Sequence, residues 1–276
     1  MRRYHDRRGR RLVYAGAPPD AAFWDAQWSR EAADLARTLA RARTRASFVT
    51  RATARYVAPG DGSILEAGCG WGQFLVALRA RGYRAIGMDF ARATLAALAA
   101  HERALPLVGG DVRRLPFADG AFAGVWSLGV IEHFPAGKAR ATVIAEMARV
   151  LRPGGVLFLT CPRFSPLRKA RALLGGYPPL VGDLPADFYQ DALDPRRLAR
   201  DVARHGFTLV ERGSLDGLKG LKDELPPLLA RPLQVVYRHP SLAARLVRAA
   251  LGVALAPPCG HAALLVFRRA RAVRRA

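Results

Sequence analysis

The sequence predicts an α/β fold in which a mainly parallel sheet carries helices on both faces. Three observations lead there. Between Ser63 and about Pro162, short apolar runs of strand length alternate with longer amphipathic segments of helical period. Several of these runs end in glycine or aspartate, as at Gly68, Asp89 and Gly129. Half of the 276 residues (51%) are apolar, enough for a core covered on both sides and too many for a disordered chain.

Taken in order, residues 1–20 are Arg-rich, contain proline and lack periodicity, and are expected to be a basic flexible arm. Residues 21–62 read as a helical cap. Phe23-Trp24, Trp28, Leu35, Leu39 and Phe48-Val49 recur at helical spacing, and Pro59-Gly60-Asp61-Gly62 ends the region. The main domain, 63–270, opens with the strand Ile64–Ala67. A glycine run follows, then a helix from Phe74 that stops near Gly82. Further strands are expected at Arg84–Asp89, Leu105–Gly109, Gly124–Leu128 and Val156–Thr160, with helices at Ala91–His101 and about Gly137–Leu151. Strands that alternate with helices imply right-handed crossovers and parallel pairing, a Rossmann-like architecture. Beyond Pro162 the pattern loosens into an excursion at about 163–190. A helix from Pro195 and the strand Phe207–Glu211 come next, then a second excursion at 215–258 and a last strand, Ala262–Phe267. Residues 271–276 are expected to be a basic tail.

The formal net charge is +22, and 40 of the 44 basic residues are arginine. Six arginines fall in residues 2–11 and five in 268–275. Basic ends suit nucleic acid or an anionic membrane surface, or they are simply solvated. No apolar stretch reaches the roughly 18–20 residues that span a bilayer. No apolar segment follows Arg10-Arg11 as a secretory signal would require. Cys69, Cys161 and Cys259 have no CxxC spacing, so neither a disulfide framework nor a zinc site is expected. These features describe a cytoplasmic globular protein.

The informative stretch is Glu66-Ala67-Gly68-Cys69-Gly70-Trp71-Gly72, between a strand and a helix. Glycines there let a ligand approach the main chain. The third glycine comes one residue too early for a dinucleotide fingerprint, and Glu66 suits a cationic ligand better than a pyrophosphate. Asp89 closes the second strand, where a carboxylate can hold ribose hydroxyls. Asp111 can accept from an exocyclic amine, Val112 can pack on a purine, and Leu128 can close the pocket from the far side. A lone aspartate at a strand end is usually a helix cap, but capping does not account for this ordered series of strand ends.

The segments LEAGCGWG (65–72), GMDF (87–90), GDVRRLPF (110–117), SLGVIEHF (127–134) and RVLRPGGVLFLTCP (149–162) resemble the core of class I S-adenosylmethionine-dependent methyltransferases. The likeness is to the small-molecule branch that includes ubiquinone-biosynthesis enzymes. It implies a seven-stranded sheet whose last strand is antiparallel, with S-adenosyl-L-methionine as cofactor. It also implies a cofactor site drawn from Glu66, Ala67, Gly68, Cys69, Gly70, Gly72, Asp89, Phe90, Asp111, Val112 and Leu128. In that reading the glycine loop holds the methionine end, Asp89 the ribose, and Asp111 with Val112 the adenine. Some relatives that methylate phenolic oxygens bind a divalent metal through Glu-x-x-Glu-His. Gly129 stands in place of the first Glu here, so no metal is expected.

An oxygen nucleophile needs a base poised near neutral pH, which makes His133, with Glu132 beside it, the catalytic candidate. The same pair could instead serve the start of the next helix. Trp24 and Trp28 could lid the cofactor or bury a helix, and Phe188-Tyr189-Gln190 could line the acceptor pocket or the core. The [DN]PP[YFW] motif of nucleic-acid amino-methyltransferases is replaced by Ser127-Leu128-Gly129-Val130, so nucleic acid is not the expected substrate. Leu242, Leu246-Val247, Ala250-Leu251 and Ala254-Leu255 mark one apolar helical face, with Arg245 and Arg248 off it. Such a helix could meet a membrane surface or pack on the core. The expected activity is methyl transfer to a small, lipid-like acceptor at oxygen, with peripheral contact to an anionic membrane. The competing readings are a nucleic-acid binder using Arg-rich ends and a non-catalytic cofactor-binding relative.

Overall fold

The computed structural model describes residues 1–31, 34–239 and 241–271. Strands β1 (Arg2–Asp6) and β2 (Arg11–Ala15) form an antiparallel hairpin, which corrects the flexible arm expected at 1–20. The Gly9 amide closes its turn by donating to Asp6 Oδ1 at 2.7 Å. β2 is buried along its length, and Phe188–Ala192 pairs with its other edge. Of the basic tail expected at 271–276, only Arg271 falls among the described residues.

The cap consists of α1 (Ala21–Glu31), α2 (Leu35–Thr44) and α3 (Phe48–Tyr56). A capping box fixes the start of α3: the Thr50 amide donates to Ser47 Oγ and the Ser47 amide to Thr50 Oγ1. The main domain then runs β3 (Ser63–Ala67), α4 (Gln73–Arg79), β4 (Ala85–Asp89), α5 (Arg92–His101) and β5 (Leu107–Gly109). It continues through β6 (Phe122–Leu128), α6 (Lys138–Val150) and β7 (Leu151–Pro162). After α7 (Pro166–Leu173), β8 (Phe188–Ala192) leaves the main sheet to join β2. The chain returns through α8 (Pro195–Ala203) and β9 (Phe207–Leu215). The second excursion comprises α9 (Gly217–Lys222), α10 (Pro227–Arg238), α11 (Leu242–Ala254) and α12 (Ala256–Cys259), and β10 (Ala262–Arg269) ends the sheet.

The seven-stranded sheet has the order β5-β4-β3-β6-β7-β10-β9. Strands β3 to β7 pair in parallel, whereas β10 runs antiparallel to both neighbours. Successive residues of a strand face opposite ways, so two apolar layers need two adjacent apolar residues per strand. That is what the chain has. Leu65, Val125, Leu157 and Leu265 pack with α6 and α8 through Val143, Met147, Leu198 and Val202. Their neighbours Ile64, Trp126, Phe158 and Val266 pack with α3 and α4 through Val49, Leu75 and Leu78. Trp126 stacks on Phe158 at 4.2 Å and donates its indole N–H to Thr53 Oγ1 at 2.9 Å, tying α3 to the sheet centre. Burying each such side chain contributes about 1.5–3 kcal/mol. Because β3 has β4 on one side and β6 on the other, the connections diverge there and open a crevice at the strands' carboxyl ends.

Candidate active site

A cavity of about 440 Å³ lies at that crevice. Its floor comes from the strand ends: Gly68 after β3, Asp89 and Phe90 after β4, Asp111 and Val112 past β5, and Leu128 at the end of β6. The loop after β3 is held against β4, since the Gly68 and Cys69 amides donate to the Met88 carbonyl at 2.8 and 3.0 Å. Only glycine suits this path. Gly68 has φ +86° and a Cβ there would meet Val130 Cγ2 at 2.5 Å; at Gly70, φ +46°, it would meet the Trp28 ring at 2.6 Å.

The opposite wall is α1 and the residues leading into it, Pro18, Pro19 and Asp20, with Trp24 and Trp28 facing the cavity. Asp20 Oδ1 accepts from the Phe23 amide at 2.8 Å and so starts the helix. Asp25 Oδ1 accepts from the amide and hydroxyl of Thr94 at 3.0 and 2.9 Å, fastening α1 to the first turn of α5. The Trp71 indole donates to the Trp28 carbonyl at 3.0 Å. Trp24 stacks with Trp28 at 6.0 Å and meets the His133 ring edge-on at 5.1 Å.

Although the chain carries +22, the charged residues lining this cavity among those described are Asp20, Asp89 and Asp111 against Arg113 alone. Asp89 is buried; its Oδ2 accepts from the Gly70 amide at 2.8 Å and its Oδ1 from the Ala91 amide at 3.0 Å. Burial pushes its carboxyl above the ordinary value, and those amides pull it back. Asp111 is held low by the Arg113 guanidinium, 2.5 Å away. His133 sits in the 3-10 turn Ile131–His133, with Nδ1 2.8 Å from the Tyr189 carbonyl. A carbonyl only accepts, so Nδ1 carries the proton and Nε2 the lone pair of the neutral ring. Burial lowers the histidine's pKa despite the Tyr189 and Gly129 carbonyls, which favour its charged form.

The segment from Leu65 to Leu159, which supplies all of the floor, matches the family model described as "Methyltransferase domain". The chain carries a methyltransferase domain. Over 110 residues it is 39% identical to a "Probable S-adenosylmethionine-dependent methyltransferase" of Mycolicibacterium smegmatis, covering 38% of this chain and 41% of that one. Over 128 residues it is 41% identical to a demethylmenaquinone methyltransferase of Mycolicibacterium vanbaalenii, covering 44% and 51%. The chain thus spans about half or less of the length of these curated relatives. A SAM-dependent methyltransferase from Archaeoglobus fulgidus shares the fold with a TM-score of 0.52 at 14% identity, covering 79% of this chain and 90% of that one. The cyclase SpnF shares it with 0.51 at 22% identity, covering 81% and 80%. These two likenesses bear on the fold alone.

Within the methyltransferase domain, the cavity brings together Gly68, Asp89, Phe90, Asp111, Val112, Leu128 and His133 of the residues singled out from the sequence. Ala67, Cys69, Gly70 and Gly72 shape the loop behind it and do not line it. Burial holds the Cys69 thiol protonated. Glu66 lies beneath the loop, buried, with Oε2 unpartnered among the described residues and its carboxyl pushed up to about 8. Glu132, expected beside His133 as a catalytic partner, does not line the cavity. It is buried toward Arg140 and Asp191, its Oε2 has no hydrogen-bond partner among the described residues, and desolvation raises its carboxyl to about 8. Adjacent residues in a tight turn face different ways, which separates the pair. Tyr189 backs His133 at 5.0 Å without lining the cavity. Sequence reasoning missed Pro18, Pro19 and Asp20; the signal was an Asp cap placed before the tryptophan pair.

S-adenosylmethionine is the cofactor such a domain takes, and the residues present fit it. A buried carboxylate at a strand end, an exposed Phe90 ring and a predominantly acidic lining suit a cationic nucleoside. They do not suit a pyrophosphate.

Proposed function

We propose that the protein is an S-adenosylmethionine-dependent methyltransferase acting on a small-molecule acceptor at oxygen, with a quinone-like or lipid-like acceptor favoured. The observation that carries the reading is the acidic cavity at the sheet's switch point in a strongly basic chain. Bound S-adenosylmethionine supplies an electrophilic methyl group on a sulfonium. Asp89 accepts from the ribose hydroxyls, Asp111 from the adenine amine, and Phe90 with Val112 packs the purine. Trp24 and Trp28 exclude water from above. His133 Nε2 takes the acceptor's hydroxyl proton while the Tyr189 carbonyl keeps Nδ1 protonated and the ring fixed. The quinone-like acceptor is drawn from the demethylmenaquinone methyltransferases among the relatives. The nucleic-acid reading loses ground because Arg2, Arg3 and Arg11 are engaged by Asp187, Glu224, Asp6 and Asp191.

The test is thermal unfolding with S-adenosylmethionine, its demethylated product and NAD, followed by transfer of labelled methyl to a panel of phenols and hydroquinones. Ligand at about 100 times its Kd adds roughly 2.7 kcal/mol, a rise of about 5 °C for a chain of this size. The sulfur ligands are expected to give that rise, NAD none, and Asp89→Ala to abolish it. Label on a ring carbon would move the reaction from oxygen to carbon. No shift with either sulfur ligand would sink the reading.

A further inference from the structure

Helices α10 and α11 invert the usual amphipathic arrangement. On α11, Leu242, Leu246, Ala249 and Val253 recur at i, i+4, i+7 and i+11, which places them on one stripe. The stripe faces solvent: Leu242 is 67% exposed, Leu246 62% and Val253 76%. No residue of α11 is buried. Arg248, on the other side, turns inward. Its Nη1 donates to the carbonyls of Val236, Tyr237 and His239 at 2.9, 3.1 and 2.7 Å and caps the end of α10. α10 repeats the pattern with Leu228 (72%) and Val235 (64%) outward at i and i+7 and exposed Arg231 beside them. A helix pair that ties its guanidinium to backbone carbonyls and solvates its leucines presents a surface made for contact.

The chemistry of the rim selects the partner. After Glu224 the sequence has no Asp or Glu, while Arg231 and Arg245 border the two stripes and are exposed. A second copy would oppose like charges across the contact. Single-stranded nucleic acid would meet the arginines, but it stacks on aromatic rings, and aliphatic side chains give it nothing comparable. An anionic bilayer matches both parts, since aliphatic side chains enter the acyl boundary while guanidinium groups reach the phosphates. No helix among the described residues is long and apolar enough to cross a membrane. We infer that α10 and α11 form a membrane-docking element that lies in the plane of an anionic phospholipid surface. The element lies outside the matched segment 65–159 and depends on none of the cavity's chemistry.

The experiment is flotation of the full chain with phosphatidylcholine vesicles that contain or lack phosphatidylglycerol. Wild type is expected to float with the anionic vesicles and to stay behind with the neutral ones. The double variant Leu246→Asp, Val253→Asp should lose on the order of a hundredfold in partition. Its thermal midpoint should be unchanged, because both side chains are already solvated. Arg231→Gln with Arg245→Gln should lose on the order of tenfold and show a weaker salt dependence. Three results would overturn the proposal. Wild type could fail to float with either vesicle. The Asp double variant could float undiminished, which would assign binding to other basic segments. Light scattering could show a dimer, or DNA titration a complex, that the Asp double variant abolishes.

Discussion

His133 and Glu132 are chain neighbours with different tasks, and their surroundings predict opposite responses to pH. Burial depresses His133, so the ring is neutral at pH 7 and loses its lone pair only as pH falls through a value below the ordinary 6.5. Catalytic rate should therefore fall on that acid limb, and His133→Gln should lose it together with roughly 10²–10⁴ in kcat, with cofactor affinity kept. A kcat/KM profile with parallel calorimetry on both proteins checks this. Glu132 is raised to about 8 from an ordinary 4.5. Its folded form binds a proton more tightly than its unfolded form, so its contribution to stability is complete below about pH 4.5 and is lost as pH rises through about 8. Glu132→Gln should match wild type near about pH 5 and melt a few degrees higher near about pH 8.5. Melting curves of the two proteins across that range decide it. The site's floor was legible in the sequence because Gly68, Asp89, Asp111 and Leu128 all sit at strand ends, where period and punctuation coincide. The divergence of Glu132 from His133 was not legible, because one residue's turn depends on packing against β8.

At the scale of elements, one buried carboxylate joins three of them. Asp191 on β8 accepts from Arg11 of β2 at 2.7 Å and from Arg140 of α6 at 2.5 Å, all three being buried. Removing it would leave two guanidinium groups in the interior, so Asp191→Ala should cost about 3–5 kcal/mol in chemical denaturation. The glycine loop is similarly intolerant. Gly68→Ala adds a Cβ 2.5 Å from Val130 at positive φ. It should destabilise the chain by roughly 1–3 kcal/mol and weaken cofactor binding, as denaturation and calorimetry would show. The strands of the main sheet could be read locally because each is an apolar run bounded by turns. β1 and β2 could not, since they carry arginine and their stabilising partner lies far along the chain. Asp6 and Gly9 were the available turn signal, and the arginines around them concealed it.

On the scale of the whole molecule, the sequence's alternation of strands and helices carried the parallel pairing, because strands joined by helices cross over in one hand. How α1 roofs the cavity, or how the two excursions sit, follows from long-range contacts with no sequence period. The hairpin's place in the fold also bears on how the protein is made. Arg11 and its partner Asp191 are 180 residues apart. At about 5–20 residues per second, β2 waits on the order of 10–40 s after synthesis before the strand that covers it exists. During that time Leu12 and Val13 lie on a strand whose second edge is unpaired, open to association with other nascent chains. Arginines at 2, 3, 7, 8, 10 and 11 precede it, and like charges beside an apolar strand act as gatekeepers against such association.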